Sequence, residues 1–198
     1  MILNGNVTLS SHVNITRTVT IDGNGNSLSK GLQISANDVV IENASITPSE
    51  FYPGWFYGIM VGDVTGVVIR NNVITGNNSD EIGISDITGN SNAEITITGN
   101  TISNLWTAIL IDSANTDATV TGNNINDAKH GIYVSQAPTA DVSISSNTIS
   151  NPKALSDGSA GDAISVPNGT LAADVTAIQT NNTFTGVASG KEVVVLQP

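Results

Sequence analysis

The chain has 198 residues, 39% of them hydrophobic but only 4% aromatic and 12% charged, with a formal net charge of −11 and no Cys. Six scattered basic residues make no track to neutralise phosphates, which excludes a nucleic-acid partner and speaks against an anionic membrane surface. The lack of Cys removes disulfides, iron–sulfur clusters and thiolate zinc sites, and no run approaches the length of a membrane span, so membrane insertion is not expected.

The apolar residues are mostly Ile and Val, which suit pleated strands, and 24 Asn with 19 Gly supply left-handed turn positions. The start, Met1-Ile2-Leu3-Asn4-Gly5, lacks the charged n-region and apolar h-region of a signal peptide. We therefore expect one domain over residues 1–198, following a removed signal or excised from a larger protein.

In chain order, the first recognisable unit is Val19-Thr20-Ile21-Asp22-Gly23-Asn24, with an extra residue before Leu28. It returns as Val39-Val40-Ile41-Glu42-Asn43-Ala44-Ser45-Ile46 and then over 67–74, 95–102, 118–125 and 142–149, and more loosely over 177–184. Matching third positions are 28, 28, 23, 24 and 35 residues apart, so the last step carries an insertion. Between these copies lie apolar–x–apolar triplets: Leu32-Gln33-Ile34, Ile59-Met60-Val61, Ile82-Gly83-Ile84, Ile109-Leu110-Ile111, Ile132-Tyr133-Val134, Ile164-Ser165-Val166 and Val193-Val194-Val195. Alternation of this kind is the signature of a strand with one buried face. Each repeat thus holds an alternating strand, a turn at Asn, a short third strand led by Ile, a variable loop and another alternating strand.

Repeats of this length predict a solenoid rather than hairpins. The expected fold is all-β: a single-stranded, right-handed parallel β-helix of about seven to eight coils, with Ile and Val in aliphatic columns along its axis. Asn24, Asn72, Asn100, Asn123, Asn147 and Asn182 recur at one corner and predict an internal Asn ladder, broken by Ala44. His12 is expected to take the ladder position in the first, irregular coil.

These repeats resemble the pectate-lyase-like right-handed β-helices, in particular proteins with generic parallel β-helix repeats. The likeness covers residues 6 to 196, and Ile21-Asp22-Gly23-Asn24-Gly25 looks like a segment common near the start of such helices. The resemblance implies the fold. Family members include lyases, hydrolases, epimerases, phage tailspikes, adhesins and surface proteins, so function must be read from the site.

The loop Phe51-Tyr52-Pro53-Gly54-Trp55-Phe56-Tyr57 gathers much of the chain's small aromatic content, and Trp106 lies on the equivalent edge two coils on. With strands stacking about 4.8 Å apart, the two Trp residues would lie on the order of 10 Å apart. Tyr52, Trp55, Tyr57, Trp106, His130 and Tyr133 are the ligand-binding candidates, as platforms for successive sugar rings; the alternative is that the rings only cover the side of the solenoid. Aligning the second strands places Lys30, Tyr57, Asp80, Thr107, His130, Asp162 and Lys191 in one column. Asp80, Glu81 and His130 are candidates for acid/base work on a polysaccharide, although Asp80 and His130 are two coils apart. Against ordinary turn chemistry stands the expectation that Asp63, Asp86, Asp112 and Asp117 form a calcium site.

The family's catalytic patterns are incomplete. Asn115-Thr116-Asp117 and Lys129-His130-Gly131 resemble two pieces of the polygalacturonase-like set, but no Asp-Asp or Arg-Ile-Lys accompanies them. Arg70 beside Glu42 reads as a cross-strand ion pair rather than a lyase base. The sequence therefore points to an extracellular or cell-surface module that binds a polysaccharide or cell-surface glycan, or serves as structure, and leans away from an enzyme. It requires no cofactor, with calcium as an option. The alternatives are a small polysaccharide lyase, glycoside hydrolase or epimerase acting on acidic polysaccharide, and a structural segment of a surface protein or phage tailspike. Self-association through the solenoid ends is a further expectation.

Overall fold

A computed structural model describes residues 1–77, 80–86, 93–136, 141–154, 158–170 and 172–197. The chain winds through three sheets whose strands pair in parallel from coil to coil. The first sheet stacks Thr20–Asp22, Val40–Glu42, Val67–Arg70, Glu94–Thr98, Asp117–Thr121 and Val142–Ser145. The second stacks Ser27–Leu28, Ser45–Ile46, Val73–Thr75, Thr101–Ser103, Asn124–Asn126, Thr148–Ser150 and Thr183–Thr185. The third holds Val13–Ile15, Leu32–Ile34, Trp55–Val61, Glu81–Ser85, Thr107–Ile111, His130–Val134, Asp162–Val166 and Val193–Val195. Parallel strands need crossovers, and crossovers wind right-handed. Among the described residues there are six complete three-stranded coils between two partial ones, rather than seven to eight.

The core is a set of Ile/Val columns one residue wide. Ile41, Ile69, Ile97, Val120 and Ile144 are in register in the first sheet, and Ile46, Ile74, Ile102, Ile125 and Ile149 in the second. Ile59, Ile84, Ile109, Ile132 and Ile164 are in register in the third, and all of these side chains are buried. Each such burial contributes about 1.5–3 kcal/mol.

The corner between the first two sheets is made by a left-handed residue followed by the ladder position. Asn43, Asn71 and Ser146 take φ of 53°, 55° and 58°, and Gly99 and Gly122 serve the same place in the other coils. The following residue, Asn72, Asn100, Asn123 or Asn147, then points inward and is buried. Asn100 Oδ1 accepts from Asn72 N at 2.9 Å and Asn72 Nδ2 at 3.1 Å. The pattern repeats from Asn100 to Asn123, from Asn123 to Asn147 and from Asn147 to Asn182. Each Nδ2 also donates to a strand carbonyl of the preceding coil, Ile41, Ile69, Ile97, Val120 or Ile144. Ala44 ends the ladder, its N donating to Asn72 Oδ1 at 3.0 Å.

Several expectations are corrected. Asn24 is not a rung: it is an exposed turn residue with φ of 48°, and buried Gly23 packs against Ala44 instead. His12 is no rung either, because its ring stacks on Phe51 at 4.2 Å. Residues 177–179 are not a strand but part of the helix Ala172–Asn181, whose Val175 and Ile178 pack on the core while it lies against the last strand of the first sheet. The rung at Asn182 survives, and its Nδ2 donates to Ile178 O in the helix's last turn at 2.7 Å. No helix among the described residues is long and apolar enough to cross a membrane.

Candidate functional site

The outside of the third sheet carries two side-chain columns. Tyr57, Ile82, Thr107, His130 and Asp162 are paired in register, as are Met60, Ser85, Leu110, Tyr133 and Ser165. Strict alternation would not turn both Tyr57 and Met60 outward. The switch lies at the small residue between the columns: a Cβ on Gly58 would meet Ile74 of the core at 2.9 Å, so 58 and 59 both face inward. At Gly131 an added Cβ would lie 2.3 Å from Ala163 O, so the coils approach too closely there for a side chain.

A hairpin rises over one end of this face. Ser49–Tyr52 pairs antiparallel with Trp55–Val61, and Gly54, with φ of 81°, turns the chain while its N donates to Glu50 Oε1 at 3.0 Å. Beneath it Tyr57, Met60 and Ile82 form a small second apolar cluster with Phe51 and Leu110 packed on it. Phe51 meets Tyr57 edge-on at 5.5 Å, and Trp55 lies parallel to Tyr57 at 6.5 Å between centroids. Tyr57 is only 1% exposed, whereas Tyr52 and Trp55 are 51% and 55% exposed. Burial, with the Asp112 and Tyr52 charges adding to it, pushes the Tyr57 hydroxyl up to about 12.

Farther along the axis the face is more polar. Trp106 is half-buried with Lys129 Nζ 3.8 Å over its ring, and its ring is 6.1 Å from His130. His130 meets Tyr133 edge-on at 5.4 Å. Its Nδ1 is buried, 3.8 Å from Asp162 Oδ2, and has no hydrogen-bond partner among the described residues. Asp162 is also held by Lys191 Nζ at 2.8 Å and by Ser165 Oγ at 3.4 Å. Burial pushes His130 below the ordinary imidazole value; Asp162 pulls it up, and Lys129 and Lys191 push it further down. Stability that depends on neutral His130 is therefore lost as pH falls below the unfolded imidazole value of about 6.5. Burial also raises Tyr133, aided by the Asp112 and Asp162 charges.

Between hairpin and His130 these residues enclose a groove of about 1120 Å³. Sites for drug-sized ligands run about 300–1,000 Å³, so this groove suits an extended ligand. The six aromatic and His candidates, Tyr52, Trp55, Tyr57, Trp106, His130 and Tyr133, all line it. Tyr57 does so from beneath the hairpin, so it supports Trp55 and offers no free face.

The carboxylate candidates disperse. Asp80 is exposed on the groove's edge, but Ile82 takes the column place beside Tyr57 and Thr107 that alignment gave to Asp80. The triplet Ile82-Gly83-Ile84 was two residues out of register: Ile84 is the partner of Ile59. Glu81 is buried and its Oε2 accepts from Asn77 N at 2.6 Å, away from the groove. Asp112 lines the groove and its carboxylate accepts from Ser135 Oγ.

Asp86 is fully buried, its Oδ1 and Oδ2 accepting from Asp112 N at 2.6 Å and Ser113 N at 3.2 Å. Asp117 Oδ1 accepts from Asp141 N at 2.8 Å, and Asp63 is exposed. Among the described residues no three His, Cys, Asp or Glu side chains come together as metal ligands, so the four calcium candidates do not converge. On the first sheet Arg70 Nε donates to Glu42 Oε2 at 2.6 Å, the cross-strand pair its sequence position implied.

The model of the right-handed β-helix region matches residues 30–195, which is most of the chain. The chain belongs to the right-handed β-helix family. Neither curated proteins nor solved structures give a match. In this β-helix, sequence reasoning missed the hairpin and the apolar floor made by Ile82 and Leu110. A signal for the hairpin was present: Pro53-Gly54 between aromatic runs is turn chemistry. Ile82 in the floor was hidden by the face switch at Gly83, since strict alternation with the inward Ile84 makes Ile82 an inward residue.

Proposed function

We propose that this β-helix is an extracellular or cell-surface module that binds a polysaccharide along its third sheet without acting on it chemically. One observation carries the reading: Tyr52 and Trp55, both more than half exposed, Trp106 and Tyr133 are spread along a single groove and come from three of its coils. Repetition at about 4.8 Å per coil gives aromatic surface at intervals suited to the rings of an extended chain. Binding rather than catalysis is favoured because Asp162 is tied up by Lys191 and Ser165, and because Asp80 and His130 come from strands two coils apart. Affinity electrophoresis through gels containing soluble polysaccharides tests this. Trp55→Ala with Trp106→Ala is expected to weaken retention by about five- to tenfold per ring, from stacking energies of about 1 kcal/mol. Unchanged retention of the double variant would sink the proposal.

A second reading is a small polysaccharide lyase, hydrolase or epimerase. What favours it is His130, held neutral by burial in the groove beside Tyr133 and Asp162. A neutral imidazole is ready to accept a proton. Unsaturated or reducing-end products released by the wild type, but not by His130→Ala, would establish this reading in place of the first.

A further inference from the structure

The charges around the groove narrow what it accepts. Asp80, Asp112 and Asp162 line it, while none of the chain's Lys or Arg side chains does. The two nearest cations are already engaged, Lys191 with Asp162 at 2.8 Å and Lys129 over the Trp106 ring at 3.8 Å. His130, pushed down by burial, adds no charge at neutral pH. Among the described residues no salt bridge reaches Asp80 or Asp112. Asp112 accepts from Ser135, which leaves acceptor capacity on its two oxygens. The aromatic rings act in the same direction, because ring faces attract cations, and Lys129 on Trp106 is an instance within this chain. A polymer with a carboxylate on every ring would meet a net negative lining, with Asp80, Asp112 and Asp162 set against the flanking Lys129 and Lys191, on a molecule that carries −11.

We infer that the polysaccharide is an amino-sugar polymer, its ammonium groups held by Asp112 and Asp80 and its rings by Trp55 and Trp106. This rests on the polysaccharide-binding reading and adds the class of sugar. Sites that read a charge discriminate best when the wrong ligand is repelled as well as the right one attracted.

The test is calorimetric titration of the full chain, at a pH where the amines are protonated. The ligands are a β-1,4-linked glucosamine hexamer, its fully N-acetylated counterpart, a galacturonate hexamer with and without calcium, and oligolysine of matching charge. The glucosamine hexamer is expected to bind about tenfold tighter than the acetylated form, with the gap closing in high salt. Uronate should not bind measurably. Asp112→Asn should bring the two glucosamine forms together. Because Asp112 neighbours buried Asp86, the exposed Asp80→Asn variant is run alongside and should reduce the same ratio without a folding defect.

Uronate binding as tightly as glucosamine, with or without calcium, overturns the inference and leaves the polysaccharide reading standing. So does an amine-to-acetyl ratio of one, a ratio unmoved in both variants, or oligolysine binding as tightly as the sugar. If none of these sugars binds, the inference falls, and retention in the polysaccharide gels decides whether the polysaccharide reading stands.

Discussion

At the scale of single residues, Asp86 departs most from the pattern around it. One place beyond the paired Ile84 and Ser85, it stands where neighbouring coils carry Val61 and Ile111, yet it is fully buried. Its carboxylate takes the N–H groups of Asp112 and Ser113 and the Thr116 side chain, so it holds the turn that leads Asp112 to the groove. Asp86→Val would restore the aliphatic column and strand those donors. We expect it to cost about 1–3 kcal/mol by urea unfolding, because an orphaned buried donor outweighs the apolar gain. Burial raises the Asp86 carboxyl above its unfolded value, against the lowering by its hydrogen bonds. Stability from such a group is fully present below the unfolded value of about 3.9 and is lost as pH rises through the folded one. The gap between wild type and variant should therefore be larger near about pH 4 than near about pH 7; a gap that grows with pH would contradict this account.

At the scale of elements, the Asn corner shows what the sequence disclosed and what it could not. Asn72, Asn100, Asn123, Asn147 and Asn182 were legible because a buried amide can recur at fixed phase only if it is satisfied each time. Asn24 misled because Asn serves left-handed turns as readily as ladders, and identity alone does not separate the two uses. The helix Ala172–Asn181 was hidden for a related reason. Its Ala-Ile-Gln fits a strand in isolation, and only the length of the last repeat hinted at an inserted element. Asn123→Ala would remove the acceptor for Asn100 N and Nδ2 and the donor to Ile97 O, all buried. We expect a loss on the order of 3 kcal/mol in denaturant, against under about 1 kcal/mol for the outward Thr121→Ala. Equal effects of the two would mean the ladder is incidental.

At the scale of the whole molecule, the three sheets were readable from the repeat, and the aromatic rim from composition. The groove's floor was not, because it depends on the strand switching faces at Gly58 and Gly83, where periodicity gives the wrong parity. The same geometry predicts where the chain tolerates change. A short Gly/Ser insert after Gly169, in a turn with open space around it, should cost under about 1 kcal/mol in thermal unfolding. A single residue inserted between Gly122 and Asn123 should cost far more, since it moves Asn123 off its rung or turns the strand Asn124–Asn126 to the other face before the next loop can absorb the slip. If both inserts melt alike, coil register is not what the corner fixes.

The Asn ladder thus acts as a keyway. Its rungs join residues 28, 23, 24 and 35 positions apart, yet every strand after each rung resumes in the same phase. Surplus chain leaves the register of the columns unaltered, and in the longest step it includes the helix Ala172–Asn181, which packs on the core. The face that reads a ligand can therefore be rebuilt one coil at a time, by exchanging loops like blades on a keyed shaft, without re-solving the fold that carries them.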